Sequence, residues 1–162
     1  MASSGEYAGF WIRFAAYLLD RILYGLVWIV LLIPGIVLLV LGFSECDGWT
    51  SNDEWTCTGG DLNAGAIAGG VALILASVVV ILVLYVRALG RTGQTWGRRI
   101  VGIKVVRLDD GRPIGVPKAI GRSLFAEFVS GQVFVLGYLW ALWDDRKQTW
   151  HDKIVGSVVV RV

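Results

Sequence analysis

Apolar positions gather into three long blocks, with no sustained alternation and no heptad repeat. Residues 22–43 and 62–86 carry no charged side chain. These runs of 22 and 25 residues exceed the roughly 20 that a helix needs to cross a hydrocarbon core of about 30 Å. In lipid only helices and closed barrels satisfy every backbone group, and period-two alternation is missing, so both runs are predicted as helices. With their apolar flanks they cover about 10–43 and 62–89. The first is too long for one straight crossing, which predicts a tilted or interfacial beginning, and Pro34 inside it predicts a kink or a break. In the second, Gly65 with Gly69, and Ala68 with Ala72 and Ala76, recur every four residues, a spacing that lets helix backbones approach closely. The third block, residues 123–143, is just long enough to span. It contains Glu127, Gly131 and Gly137, which leaves room for a re-entrant hairpin or an interfacial helix.

Two stretches of the more polar remainder repeat each other. Residues 94–108, QTWGRRIVGIKVVRL, match residues 148–162, QTWHDKIVGSVVVRV, at nine of fifteen positions. Each copy starts with polar, turn-forming residues and runs into a β-branched stretch, and Asp109, Asp110 and Gly111 follow the first as a turn signal. Each copy is read as a short helical or turn segment followed by a strand, and the two strands are expected to pair. Paired strands lie on one side of a membrane, so residues 123–143 enter and leave from that side or lie in its interface. The expected fold is an all-α membrane protein. It has two transmembrane helices, a third apolar re-entrant or interfacial segment and a small cytoplasmic β element, all in one domain over residues 1–162. Three full crossings are the alternative.

Charge sets the orientation. The loop at residues 44–61 holds Glu45, Asp47, Asp53, Glu54 and Asp61 and no basic residue, whereas residues 87–122 hold nine Lys or Arg. By the positive-inside rule residues 90–122 and the N-terminus are cytoplasmic, the 44–61 loop is extracytoplasmic, and the basic segment at residues 144–162 is cytoplasmic. Cys46 and Cys57, the two cysteines of the chain, both fall in the outer loop. An oxidising compartment permits a disulfide between them, and two free thiols are the alternative.

Composition supports the membrane class: 56% hydrophobic and 17% charged residues, with mean hydropathy +0.65. Soluble domains run nearer 45–50% apolar and about 25% charged. A net charge of +2 without an arginine-rich arm argues against nucleic acid as a partner. The glycine-rich GRTGQTWG of residues 90–97 lacks the Gly-Lys-Ser/Thr ending of a phosphate-binding loop. Paired carboxylates, a nucleophile elbow and zinc-ligand spacing are not seen, so neither an enzyme nor a metal or cofactor is expected.

Charges at membrane depth are costly and face a partner or a cavity, so they are the candidate functional residues. Arg13 and Asp20 share a helix face with Tyr17 and Tyr24. Either this stripe handles a ligand, or Arg13 snorkels and Asp20 pairs with Arg21 or Arg122. Glu127 pairs with Arg122 or Lys118, or serves as a proton-carrying carboxylate. His151 beside Asp152 suggests acid–base chemistry, although a lone His without a nucleophile is more often structural.

Arg13 and Asp20 in the first apolar block, then GQTWGRRIVGIKVVRLDDGRPIG, Arg122 and RKQTWHDKIVGSVVV, together resemble the RDD family of bacterial membrane proteins. That family is named for one arginine and two aspartates, which correspond by position to Arg13, Asp20 and Asp152. The resemblance implies a plasma-membrane protein with a part in transport of ions or small solutes. Two crossings cannot enclose an alternating-access pathway, so such a role needs a homo-oligomer or other membrane subunits in the bilayer. A non-enzymatic accessory or scaffolding subunit of a larger membrane complex is the alternative.

Overall fold

A computed structural model describes residues 7–43, 63–130 and 136–162. Its elements run α1 (Phe10–Phe43), α2 (Ala64–Thr92), α3 (Trp96–Ile100), β1 (Ile103–Arg107), α4 (Val116–Phe125), a π-helical turn (Ala126–Ser130), α5 (Leu136–Leu139), a 3-10 turn (Trp140–Leu142), α6 (Trp150–Val155) and β2 (Ser157–Arg161). The expected Cys46–Cys57 bridge lies outside the described residues.

Helices α1 and α2, of 34 and 29 residues, are long and apolar enough to cross a membrane. Ile29, Val30, Val40, Leu75 and Val79 are all exposed, as side chains in contact with lipid would be and core side chains of a soluble protein would not. The alternative of a break at Pro34 is not realised, because α1 runs through it. Helix α2 begins on Asn63, whose Oδ1 accepts from the Ala66 N–H at 3.0 Å as an N-cap. It ends at Thr92, whose hydroxyl donates back to the Ala88 carbonyl at 2.7 Å.

The chain divides into two units, Gly25–Ile81 and Met1–Tyr24 with Leu82–Val162. In the first, the two helices approach at glycine, though not at the residues expected. Gly65 and Ala68 are exposed, as are Ala72 and Ala76, whereas Gly70 is buried. A Cβ on Gly70 would stand 2.8 Å from the Gly35 carbonyl oxygen and 2.8 Å from Leu39 Cγ, so the contact is backbone against backbone. Sequence spacing identified a small-residue helix but not which of its faces is covered. Trp28 Nε1 donates to Ser77 Oγ at 3.2 Å, which satisfies the one polar atom of that indole.

In the second unit the strands β1 and β2 pair antiparallel, as the repeat predicted, with Ile103 opposite Arg161 and Arg107 opposite Ser157. Val105 faces Val159, its own counterpart in the repeat, so a local two-fold axis passes through that pair and relates the copies. The surrounding details obey the same symmetry. Gln94 Nε2 donates to the Ile103 carbonyl at 3.0 Å and Gln148 Nε2 to the Ser157 carbonyl at 2.7 Å. Thr95 and Thr149 are the extended N-cap residues of α3 and α6. Gly102 and Gly156 turn the chain into the strands at φ of +67° and +64°. The residues preceding α1 lie along the outer edge of β2, with the Ala8 N–H donating to the Val159 carbonyl at 2.9 Å. Behind the sheet Ala8, Ala16, Val86, Leu89, Ile114 and Ala119 close a small core with Ile103, Val105 and Val159.

The third apolar block begins within α4, which starts seven residues ahead of it at Val116. Its described part consists of helical pieces of 10, 5, 4 and 3 residues, each shorter than a crossing requires. Tyr138 ties two of these pieces together by donating to the Ala126 carbonyl at 3.2 Å.

Candidate functional site

Asp152 sits at the third position of α6 with its side chain fully buried, and every group around it donates. Its Oδ1 accepts from Arg122 Nε at 2.9 Å and Nη2 at 2.8 Å, and from Ser157 Oγ at 3.1 Å. Its Oδ2 accepts from Arg13 Nη1 at 2.9 Å and from the Thr149 hydroxyl and N–H at 2.8 and 3.3 Å. The Thr149 N–H contact is one half of a capping box on α6, and the Thr149 side chain accepting from the Asp152 N–H is the other. Arg13 is fixed in turn by its Nε, which donates to the Ala8 carbonyl at 2.8 Å. Arg122 comes from the buried face of α4. One carboxylate therefore ties α1, α4 and α6 together. Burial alone would raise its pKa. The Arg122 guanidinium, helped by Arg13 and the Thr149 hydroxyl, outweighs burial and holds the carboxyl well below the usual range.

Asp20 is buried too, one turn pair further along α1, and performs the corresponding task in the other copy of the repeat. Its Oδ1 accepts from the Gly97 N–H at 2.7 Å, and its Oδ2 accepts from the Thr95 hydroxyl. The copies differ at three consecutive positions, where Gly97, Arg98 and Arg99 replace His151, Asp152 and Lys153. With Arg98 where its counterpart has Asp152, α3 lacks a capping carboxylate of its own, and α1 supplies one. With Gly97 in place of His151, α1 can come close enough to do so. A Cβ on Gly97 would collide with the Ala16 carbonyl oxygen and stand 2.7 Å from the Asp20 amide nitrogen. One face of α1 thus docks a carboxylate into the first copy and a guanidinium into the second.

Of the residues singled out in the sequence, Arg13, Asp152 and Arg122 converge, and Asp20 lies at the parallel node. Asp20 does not pair with Arg21 or Arg122, because its two oxygens already cap α3. Glu127 does not meet Arg122 or Lys118. Arg122 faces inward to Asp152, and Glu127 reaches Arg21 at 2.8 Å with both side chains more than half exposed, an arrangement that contributes little. Tyr17 joins that exposed pair, accepting from Arg21 Nε at 2.9 Å. Tyr24 stays on the face of Asp20 and stacks on Trp96 of α3 at 4.5 Å between ring centroids. Thr95, Thr149, Ser157 and Arg98 were not anticipated as site residues, although threonine at the same place in both QTW segments is itself an N-cap signal. Arg98 Nη2 reaches the Tyr85 hydroxyl at 3.4 Å, and its Nη1 is buried without a partner among the described residues, as is Arg13 Nη2.

His151 is buried next to this cluster with its ring edge-on to Tyr138 at 5.1 Å. Burial, and then the positive field of Arg122, push its pKa down to about 3, so the imidazole is neutral at physiological pH. The unfolded chain takes up this proton below about pH 6.5 and the folded chain only near pH 3, so acid favours unfolding throughout that window. The slope reaches about 1.4 kcal/mol per pH unit. Asp152 adds to the loss only below its ordinary value of 3.8. The melting temperature should therefore fall from about pH 7 to about pH 5, and His151→Phe should flatten that fall. An unchanged slope in the variant would contradict the buried neutral imidazole.

Residues 7–156 match the family model described as the RDD family. The chain is 30% identical to the proline-rich antigen of Mycobacterium leprae strain TN over 94% of its own length and 61% of that protein. It is 28% identical to the proline-rich antigen homolog of Mycobacterium tuberculosis strain H37Rv, covering 87% of this chain and 56% of the relative. Against YxaI, an uncharacterized protein of Bacillus subtilis strain 168, identity is 28% over 94% of this chain and 96% of the other. The chain spans about six-tenths of the mycobacterial relatives. No solved structure matches it. With a matching model over nearly the whole chain, and its arginine and two aspartates placed at the two nodes of the repeat, this protein belongs to the RDD family.

Proposed function

We propose that the chain is a non-enzymatic accessory or scaffolding subunit of a larger complex in the bacterial plasma membrane, with its N-terminus and both copies of the repeat in the cytoplasm. The observation that carries this reading is the saturation of its two family aspartates. Both oxygens of Asp20 and both of Asp152 are held by donors from this chain itself, so neither carboxylate presents a free face to a passing cation. A carboxylate that carries protons needs a pKa within reach of the working pH, and Asp152 is driven the other way. On this reading the Arg–Asp–Asp set fastens a cytoplasmic β element to a membrane helix, and the exposed Ala68, Ala72 and Ala76 offer a close-packing face to another subunit.

Transport by a homo-oligomer is the second reading. It is favoured by the Asp152 node, where two guanidiniums face one carboxylate, and by the nitrogens of Arg13 and Arg98 that are buried without a partner among the described residues. Flux in reconstituted vesicles separates the two. Wild type and Asp20→Asn are expected to leave proton, sodium and potassium gradients as long-lived as in protein-free vesicles. The substitution is mild, because the Thr95 hydroxyl can turn to accept from the new amide. A wild-type flux above the empty-vesicle level that Asp20→Asn abolishes would replace the accessory reading with transport.

A further inference from the structure

At the last turns of α2 a groove of about 410 Å³ opens beside two arginines that the Arg–Asp–Asp nodes do not use. Tyr24 and Trp96 form one wall as a stacked aromatic pair, 9° from parallel, and Val83 and Leu84 form the apolar end. Arg87 and Arg91, one helical turn apart, line the opposite end. Both are exposed, and neither makes an ion pair or hydrogen bond among the described residues, in contrast to Arg13, Arg21 and Arg122. Compensation of the helix dipole accounts for one cation in the last turn, but not for a pair flanking a recess.

We infer that this groove holds the headgroup and upper acyl chain of one anionic phospholipid. The charge order fits such an amphiphile. The apolar end lies on the membrane side of α2, within its uncharged run, and the two guanidiniums lie where that run ends and a phosphate would sit. A guanidinium matches a phosphodiester with parallel N–H donors, and an indole and a phenol at that depth suit the headgroup boundary. A free phosphate would meet the cations but leave the Val83 and Leu84 end in water, so the lipid is the better occupant. The inference rests on the reading that α2 crosses a membrane. It is independent of whether the protein transports a solute or serves a complex.

The test is native mass spectrometry of the delipidated chain in detergent, titrated with phosphatidylglycerol or phosphatidylcholine. Wild type should retain one phosphatidylglycerol in preference to phosphatidylcholine. Arg87→Gln with Arg91→Gln should weaken the anionic lipid by about thirtyfold while leaving phosphatidylcholine binding and the melting temperature unchanged. Lysine at both positions should keep most of the preference. Equal retention of the two lipids by wild type, or undiminished phosphatidylglycerol binding by the glutamine variant, would overturn the inference. So would complete displacement of the lipid by millimolar inorganic phosphate, which would identify a free-anion site. Because the assay uses detergent solution, its failure would leave the flux and accessory readings untouched.

Discussion

Asp152→Ala is expected to lower the unfolding free energy by about 4 kcal/mol, a large share of the 5–15 kcal/mol that holds a typical domain together. Two effects add. The buried guanidiniums of Arg13 and Arg122, with side chains 12% and 6% exposed, lose the charge that both face and are left repelling each other. Helix α6 loses the carboxylate of its capping box, worth about 1 kcal/mol by itself. Asp152→Asn should be nearly as harmful despite its shape. The Thr149 and Ser157 hydroxyls could turn to accept, but each oxygen also faces a guanidinium, which only donates, so the amide NH₂ must point at one of them. In this respect the two family aspartates differ, because Oδ2 of Asp20 faces the Thr95 hydroxyl, which can reverse its role, and no guanidinium among the described residues. A thermal melt of the purified protein should rank the variants as Asp20→Asn above Asp152→Asn, with Asp152→Ala close to the latter. Equal stability of all three would mean that the buried pairings do not exist in solution.

Gly97→Ala should cost about 3 kcal/mol, at the upper end for overpacking. Alanine is ordinarily the better helix residue, so intrinsic propensity predicts the opposite sign. Here the added methyl would meet the Ala16 carbonyl oxygen, the Asp20 nitrogen at 2.7 Å and Leu19 Cβ at 2.9 Å. Two of those three atoms belong to the backbone of α1, which cannot turn aside as a side chain could. Relief requires α3 to withdraw, and withdrawal stretches the Gly97 N–H to Asp20 bond of 2.7 Å. The position therefore couples packing to capping, and its loss should release α1 from the first copy of the repeat. Faster proteolysis within residues 94–102 of the variant would report that release. A variant more stable than wild type would show that α1 and α3 are not in contact.

How much of this was legible in the sequence depends on the range of the interaction concerned. The long apolar helices follow from a run length set against a fixed membrane thickness. The sheet follows from the repeat, because two similar strand segments close on each other about a local two-fold axis, with Val105 opposite Val159. Arg13, Asp152 and Arg122 stood out because charge is scarce in such a chain. The partners of Asp20 and Glu127 were not legible. Helical spacing shows which residues share a face, but which element covers that face is decided by packing. The decisive clue was nonetheless present as a difference between the two copies, in Gly97 and Arg98 set against His151 and Asp152. Its meaning became clear only once α1 was seen to lend the missing carboxylate. The glycine contact in α2 shows the same limit, since Gly65, Gly69 and Gly70 look alike in sequence and only Gly70 is buried.

The central claim is that the family's arginine and aspartates fasten α1 to the helix–strand repeat. It is tested most directly by a double-mutant cycle on Arg13→Ala and Asp152→Ala, read as unfolding free energy in detergent. If the two side chains form one buried pair, each single substitution should cost about 3–5 kcal/mol, and the double variant little more than the worse single, a coupling of about 2 kcal/mol or more. Strict additivity of the two losses would contradict the account, because it would mean that Arg13 and Asp152 act separately and that α1 is held by something else.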